Sequence, residues 1–258
     1  MTGMIEALTA LTGIGQSLIW TGFLVFLRVG AAMALLPAFG EQSVPPRVRL
    51  GLALAFTAVV APSVSGDLAA VPRGATAFAT EVISGLIIGI GLRLFVHALQ
   101  MAGTIIAQAT TLSQLFAGVG PEPQPAITNL LVVGGLALAV IGGLHLQVAE
   151  LLILSYQPLP VGSFPGAADI ADWGLAQVVK AFSLAFSLAA PFVAASLIYN
   201  VATGVINRAM PQLMVSMVGA PALTAGGLIM LAILSPLALH VWMQALQSFV
   251  AAPFAMSP

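Results

Sequence analysis

The chain has 258 residues, of which 60% are hydrophobic and 6% charged, with a net charge of −1 and a mean hydropathy of +1.09. A soluble domain carries about 25% charged residues, so a surface this poor in charge meets lipid or other protein rather than water. The charge balance lacks the basic stripe that nucleic acid requires, and the absence of cysteine excludes a disulfide scaffold, a cysteine nucleophile and thiolate metal sites.

The opening, MTGMIEALTALTG, has neither a basic n-region nor a small-residue cleavage site. No cleaved leader is expected, and the first apolar helix would direct insertion. The apolar pattern predicts about six segments, making an all-α membrane-type fold of long, proline-bent helices. The first, 14–38, is interrupted by Gln16 and Arg28 and stops at Pro37 and Gly40; a loop with Pro45, Pro46, Arg47 and Arg49 follows. The second, 50–62, is short for a span of ~20 residues. The third runs from 75 to about 117 and ends at GVGPEPQP (118–125), where three prolines and two glycines break helix. The fourth is 126–155, the fifth 173–207 with a kink expected at Pro191, and the sixth 213–252. Arg47, Arg49 and Arg208 in loops one and five place the odd loops in the cytoplasm by the positive-inside rule, with both termini outside.

The third segment carries a pattern. Arg93, His97, Gln100, Thr104, Gln108, Thr111 and Gln114 recur at helical steps. At ~100° per residue all seven fall within about 60° of one line. Such a stripe on an apolar helix must face protein or water, because an unsatisfied polar group in hydrocarbon costs several kcal/mol. Two readings stand: packing against neighbouring helices, or the lining of an aqueous path. Glu81 lies 12 residues before Arg93, about 120° round the helix, so the two do not pair and each needs another partner. Arg28, in mid-segment, calls for a protein partner, whereas Lys180 near a segment end can snorkel. Gly85 and Gly89, and the pairs Gly134–Gly135 and Gly142–Gly143, permit close helix approach.

His145 and Glu150 are five apart, about 140° round a helix and a poor metal pair, and His97 and His240 stand alone. No nucleophile elbow, Walker loop or metalloprotease helix is present. The reading is therefore not an enzyme, with no cofactor and no metal. Two roles remain for 118–125 and the residues before it: an ordinary interhelical loop, or a movable plug in which Leu112, Leu115 and Phe116 close a path and Gly118 and Gly120 act as hinges. Between the fifth and sixth segments, Asn200, Thr203 and Asn207 share a helix face, and Pro211 ends the helix at a polar tip with Arg208 and Gln212.

The stretch GVINRAMPQLMVSMVGAP (204–221) resembles the signature of the FliR family, the export-gate subunits of flagellar type III secretion, and is similar to the SctT family of injectisomes. Three further stretches carry the resemblance: RVGAAMALLPAFGEQSVPPRVRLGLALAF, GTIIAQATTLSQLFAGVGPEPQPAITNLL and GGLHLQVAELLILSYQPLPVG. The resemblance implies a FliP-like part (1–172) followed by a FliQ-like helical hairpin (173–258) whose tip holds Asn207, Arg208, Pro211 and Gln212. It implies assembly with FliP-like and FliQ-like subunits, proximity to FlhB-like and FlhA-like components, and a multi-pass location in the bacterial inner membrane at the flagellar basal body. The partners implied are these subunits, membrane lipid and unfolded export substrates. It also turns the reading of 110–123 from loop to plug. The alternative is a self-contained small-molecule transporter, with Arg28, Glu81 and Arg93 as a mid-membrane site.

If Leu112, Leu115 and Phe116 close the path, deleting 110–120 raises ion leak through the assembled gate. Single-channel conductance in a planar bilayer checks this, and unchanged conductance counts against a plug.

Overall fold

The computed structural model describes residues 2–68, 72, 74–111, 126–210 and 215–254, with the side chains of 2–14, 67, 111 and 215–221 excepted. Among the described residues there are seven α-helices and no strands: α1 (Thr2–Met33), α2 (Pro46–Leu68), α3 (Ala75–Thr111), α4 (Ala126–Ile141), α5 (Leu144–Leu154), α6 (Ala167–Ala209) and α7 (Val215–Ala251). Five stretches are long and apolar enough to cross a membrane: Gly15–Met33, Pro46–Gly66, Ala75–Thr110, Ala167–Ala209 and Ala222–Ala251. The pair α4–α5 meets the same test as one broken span. The all-α membrane-type architecture expected from composition is the one observed.

The element boundaries differ from the sequence expectation in several places, among them the start of α1 at Thr2 rather than 14. The predicted fourth segment is two helices bent by 72° at Gly142–Gly143. Gly143 has φ +81°, a left-handed conformation that glycine alone adopts without a Cβ clash, and it caps α5. The second segment is 23 residues rather than about a dozen, because it starts at Pro46 and continues through Pro62. Proline suits the first helical position, where its missing N–H costs nothing. Carbonyl oxygen of Pro45 accepts the amides of Val48 and Arg49 there, closing the first turn. Helix α1 ends at Met33 rather than 38, since Pro37 biases Leu36 away from helical backbone. Helix α6 begins at Ala167, earlier than expected, with Asp169 in its first turn where the helix dipole favours an acid, and it continues through Pro191.

By compactness the chain divides into two units, each discontinuous in sequence: 1–93 with 140–175 and 248–258, and 94–139 with 176–247. In the first, α1 packs on α2, and α2 on α5. Its core includes Leu24, Val29, Leu36, Val60, Leu92 and Leu144, all at 1% exposure or less. The ring of Phe78 on α3 meets Trp20 and Phe23 on α1. Trp173 donates its indole N–H to the Pro253 carbonyl at 2.8 Å, fixing the start of α6 to the C-terminal turn. Gly85 and Gly89 press α3 onto the α1 backbone at Arg28 and Ala32; a Cβ on Gly85 would collide with the Arg28 carbonyl oxygen. That is the close approach the small-residue spacing allows.

In the second unit, the C-terminal half of α3 is buried on most of its circumference. Leu99 and Ala102 have no exposure and Ile106 has 1%. Trp242 of α7, also fully buried, donates its indole N–H to the Phe95 carbonyl at 2.8 Å. Gly103 lies against Thr128 of α4 and Gly227 of α7 against Thr110. The buried face of α6 reads Gln177, Ala181, Ala185, Leu188, Phe192 and Ser196, a helical seam of three and four residues.

A Cβ at position 103 would sit 2.5 Å from Thr128 Cα, a backbone atom that cannot rotate away. Gly103→Ala therefore costs about 1–3 kcal/mol as an overpacking substitution. Gly204, with nothing within 4 Å of its would-be Cβ, is the control: Gly204→Ala is neutral or stabilising by up to ~1 kcal/mol through helix propensity. Unfolding of the detergent-purified variants distinguishes the two.

Candidate functional site

Charge is scarce in this chain, and three ionised groups inside α1 and α3 can be followed to their partners. Arg28 on α1 and Glu81 on α3 are both fully buried and joined by two bonds, Nη2 to Oε1 at 2.7 Å and Nε to Oε2 at 3.0 Å. The guanidinium also donates to Ser155 Oγ at 3.0 Å and to the Leu159 carbonyl at 2.7 Å. Tyr156 donates its hydroxyl to Glu81 Oε2 at 3.1 Å, and the Arg28 carbon lies 3.7 Å from the centre of its ring. Burial, the largest effect, pushes the Tyr156 hydroxyl above its ordinary pKa, so it remains a neutral donor. One planar five-donor group thus holds α1, α3 and the α5–α6 connection at once, which a lysine point charge would not do. A second staple lies beside it: Gly162 donates its amide to Thr80 Oγ1 at 3.0 Å.

Arg93 pairs elsewhere. Its Nη1 reaches Glu41 Oε1 at 2.6 Å, with both side chains about one-fifth exposed. Glu41 sits in the α1–α2 loop, whose carbonyls at Glu41 and Val44 accept from Arg49 Nη2. Glu81 and Arg93 are not partners, as their helical angle implied. The transporter alternative needed Arg28, Glu81 and Arg93 as one solute site; Arg28 and Glu81 instead saturate each other away from solvent, and Arg93 is bound to a loop. Lys180 is exposed on α6, consistent with a snorkelling side chain.

The polar stripe occupies the uncovered face of α3. His97 and Gln108 are exposed, and Arg93, Gln100 and Thr104 half-exposed. Beyond Arg93, its described hydrogen bonds stay within the helix: His97 Nδ1 contacts Gln100 Oε1 at 2.8 Å, and the Thr104 hydroxyl donates to the Gln100 carbonyl at 2.8 Å. The side chain of Thr111 and the whole of Gln114 lie outside the described residues, as do the plug residues Leu112, Leu115, Phe116, Gly118 and Gly120. Gln100, Thr104 and Gln108 form one wall of a groove of about 400 Å³ within the second unit, opposite Phe182 and Phe186 of α6. The two phenylalanines are 50% and 62% exposed.

Asn207 and Arg208 are exposed in the last turn of α6, while Pro211 and Gln212 lie outside the described residues. The buried seam of α6 continues as Asn200, Thr203 and Asn207 beyond Ser196, where burial stops. Among the described residues no three His, Asp or Glu side chains gather at a metal-binding distance.

Sequence reasoning missed Glu41, Tyr156, Ser155 and the Leu159 carbonyl as partners, and missed Phe182 and Phe186 as a facing wall. The need for a partner was written in each lone charge. Its identity was not, because Arg28 and Glu81 are 53 residues apart and Arg28 and Ser155 are 127.

Residues 19–249 match the family described as Bacterial export proteins, family 1. The chain is similar to the flagellar biosynthetic protein FliR of Caulobacter vibrioides, 36% identical over 233 residues, covering 87% of this chain and 92% of that protein. It is similar to FliR of Escherichia coli K12, 32% identical with 83% and 84% covered, and to FliR of Aquifex aeolicus, 30% identical with 84% and 86% covered.

Removing one member of a buried ion pair strands the other. Arg28→Met alone is expected to lose about 3–5 kcal/mol of stability, as is Glu81→Met, whereas the double variant recovers most of that loss. Denaturant unfolding in detergent gives the coupling; a double variant as unstable as the sum of the singles would show that the pair is not coupled.

Proposed function

Because the chain belongs to the FliR family of bacterial export proteins, we propose that it is a multi-pass membrane subunit of the flagellar protein export apparatus, without catalytic chemistry of its own. In this reading it assembles with FliP-like and FliQ-like subunits at the mouth of the export channel in the inner membrane, next to FlhA-like and FlhB-like components. Residues 1–172 act as the FliP-like part and 173–258 as the FliQ-like hairpin, presenting Asn207, Arg208, Pro211 and Gln212 to a neighbour. The unfolded export substrate passes beside the chain, and Leu112, Leu115, Phe116, Gly118 and Gly120 form the closure.

The observation that carries the reading, beside the family match, is the uncovered stripe on α3. A 37-residue helix is about 55 Å long, well beyond the ~30 Å of a bilayer core. Among the described residues its polar face from His97 to Gln108 is left open or half-open while the opposite face is packed. Amides and a histidine on such a helix demand either water or another subunit. A self-sufficient transporter would bury that face in its own bundle. The apolar exterior of α6, with Leu175, Val179, Phe186, Leu197 and Val201 all more than half exposed, likewise calls for lipid or a neighbouring chain.

Solubilised from its native membrane, an affinity-tagged copy is expected to bring down FliP-like and FliQ-like chains as one particle, and cells lacking it to stop exporting flagellar proteins. Recovery as a lone monomer from cells whose export survives its loss would remove the reading.

A further inference from the structure

We infer that the groove between α3 and α6 binds the main chain of an extended polypeptide, with Gln100, Thr104 and Gln108 as a hydrogen-bonding ladder and Phe182 and Phe186 as the apolar wall. The inference rests on the export reading above and assigns a contact for the exported chain.

Three features of the groove point to that ligand. The first is spacing. Gln100, Thr104 and Gln108 recur every four residues, a rise of about 6.0 Å per step. Phe182 and Phe186 have the same step on the opposite wall. An extended chain repeats every two residues, about 6.6 Å, so its amides and carbonyls on one edge come into register with successive rungs. Over the two intervals from Gln100 to Gln108 the mismatch accumulates to only about 1.2 Å, within the reach of a glutamine side chain.

The second is hydrogen-bonding capacity. Gln100 Oε1 is engaged by His97 Nδ1, which leaves its amide N–H groups to donate. Thr104 spends its proton on the Gln100 carbonyl, which leaves oxygen lone pairs to accept. Gln108 is exposed, and its side chain has no partner among the described residues, so it offers both functions. The ladder therefore presents donor, acceptor and both in turn, the alternation of a strand edge. The main chain of a packed partner helix could not bond to this ladder, because its amides and carbonyls are already bonded within it; only matched polar side chains on that helix could. Acyl chains would leave it unsatisfied at a cost of several kcal/mol.

The third is the pairing of walls. The half-exposed phenylalanines lie across from the amides, so a strand bonded to the ladder can set side chains against the rings. Main-chain recognition with a tolerant aromatic wall does not depend on the sequence bound, and a conduit for many unfolded chains requires that tolerance.

The test uses the complete export apparatus in cells. Photoreactive p-benzoylphenylalanine is placed at position 186 or 182 in the groove, or at position 233, an exposed site on α7 outside it. The probe is an exported protein fused to a stably folded domain, which stalls in transit. Variants are first checked for export of an unfused substrate, so that each position used is in a working apparatus. Irradiation is expected to join the chain to the stalled substrate from 186 or 182, several-fold more than from 233 and only while the substrate is made. Adducts from both groove positions only to another membrane subunit or to lipid, or equal substrate yields from 233, would overturn the inference. As a second arm, Thr104→Val with Gln108→Leu is expected to slow export several-fold while FliP-like and FliQ-like chains still co-purify; unaltered export would count against the ladder. Cells lacking the whole chain separate the two levels. Export that survives its loss defeats the functional reading itself, whereas lost export without groove adducts defeats the groove alone.

Discussion

A hydrogen bond or ion pair inside an apolar helix bundle has no water to fall back on, and the Arg28–Glu81 pair shows what that constraint demands. Both side chains have no exposure, and between them they take part in five polar contacts and a ring contact. The pair is not a net source of stability in the sense of a hydrophobic contact, since desolvating two ions offsets much of their attraction. Its effect is specificity. The guanidinium geometry admits one arrangement of α1, α3 and the segment 155–159, and any slip of α1 along α3 would strand a charge. Gly85 and Gly89 act in the same direction, because only their missing side chains let the two helices come close enough for the pair to form.

The same constraint sorts the remaining polar residues. Those satisfied within the chain, such as Arg93 on Glu41 or the indoles of Trp173 and Trp242 on main-chain carbonyls, fix its internal packing. Others, chiefly His97, Gln100, Thr104 and Gln108 on α3 and Asn200, Asn207 and Arg208 on α6, face outward with no side-chain bond to another helix among the described residues. A chain so poor in polar atoms does not leave them outward without a counterpart. In the export reading proposed above, this outward set maps where water, substrate or sister subunits meet the protein. It falls on two helices far longer than a bilayer is thick, which places part of each beyond the hydrocarbon if either spans it upright.

Composition and periodicity alone established the class. So few charges over so many apolar residues admit only a membrane-type exterior, and the runs between proline and glycine clusters located the helices. The helical steps from Arg93 to Gln108 put those residues on one face whatever the fold, because that angle is a property of the helix itself. The requirement that Arg28 find a protein partner was legible for a similar reason: the cost of an unpaired charge in hydrocarbon is independent of the fold. Tertiary structure decided everything that depends on residues far apart in the chain. It chose Glu81 for Arg28 and Glu41 for Arg93, turned the predicted fourth segment by 72° at Gly143, and set Phe182 and Phe186 opposite the glutamines. A sequence states which groups cannot remain alone; only the packing of helices against one another settles which distant group each of them meets.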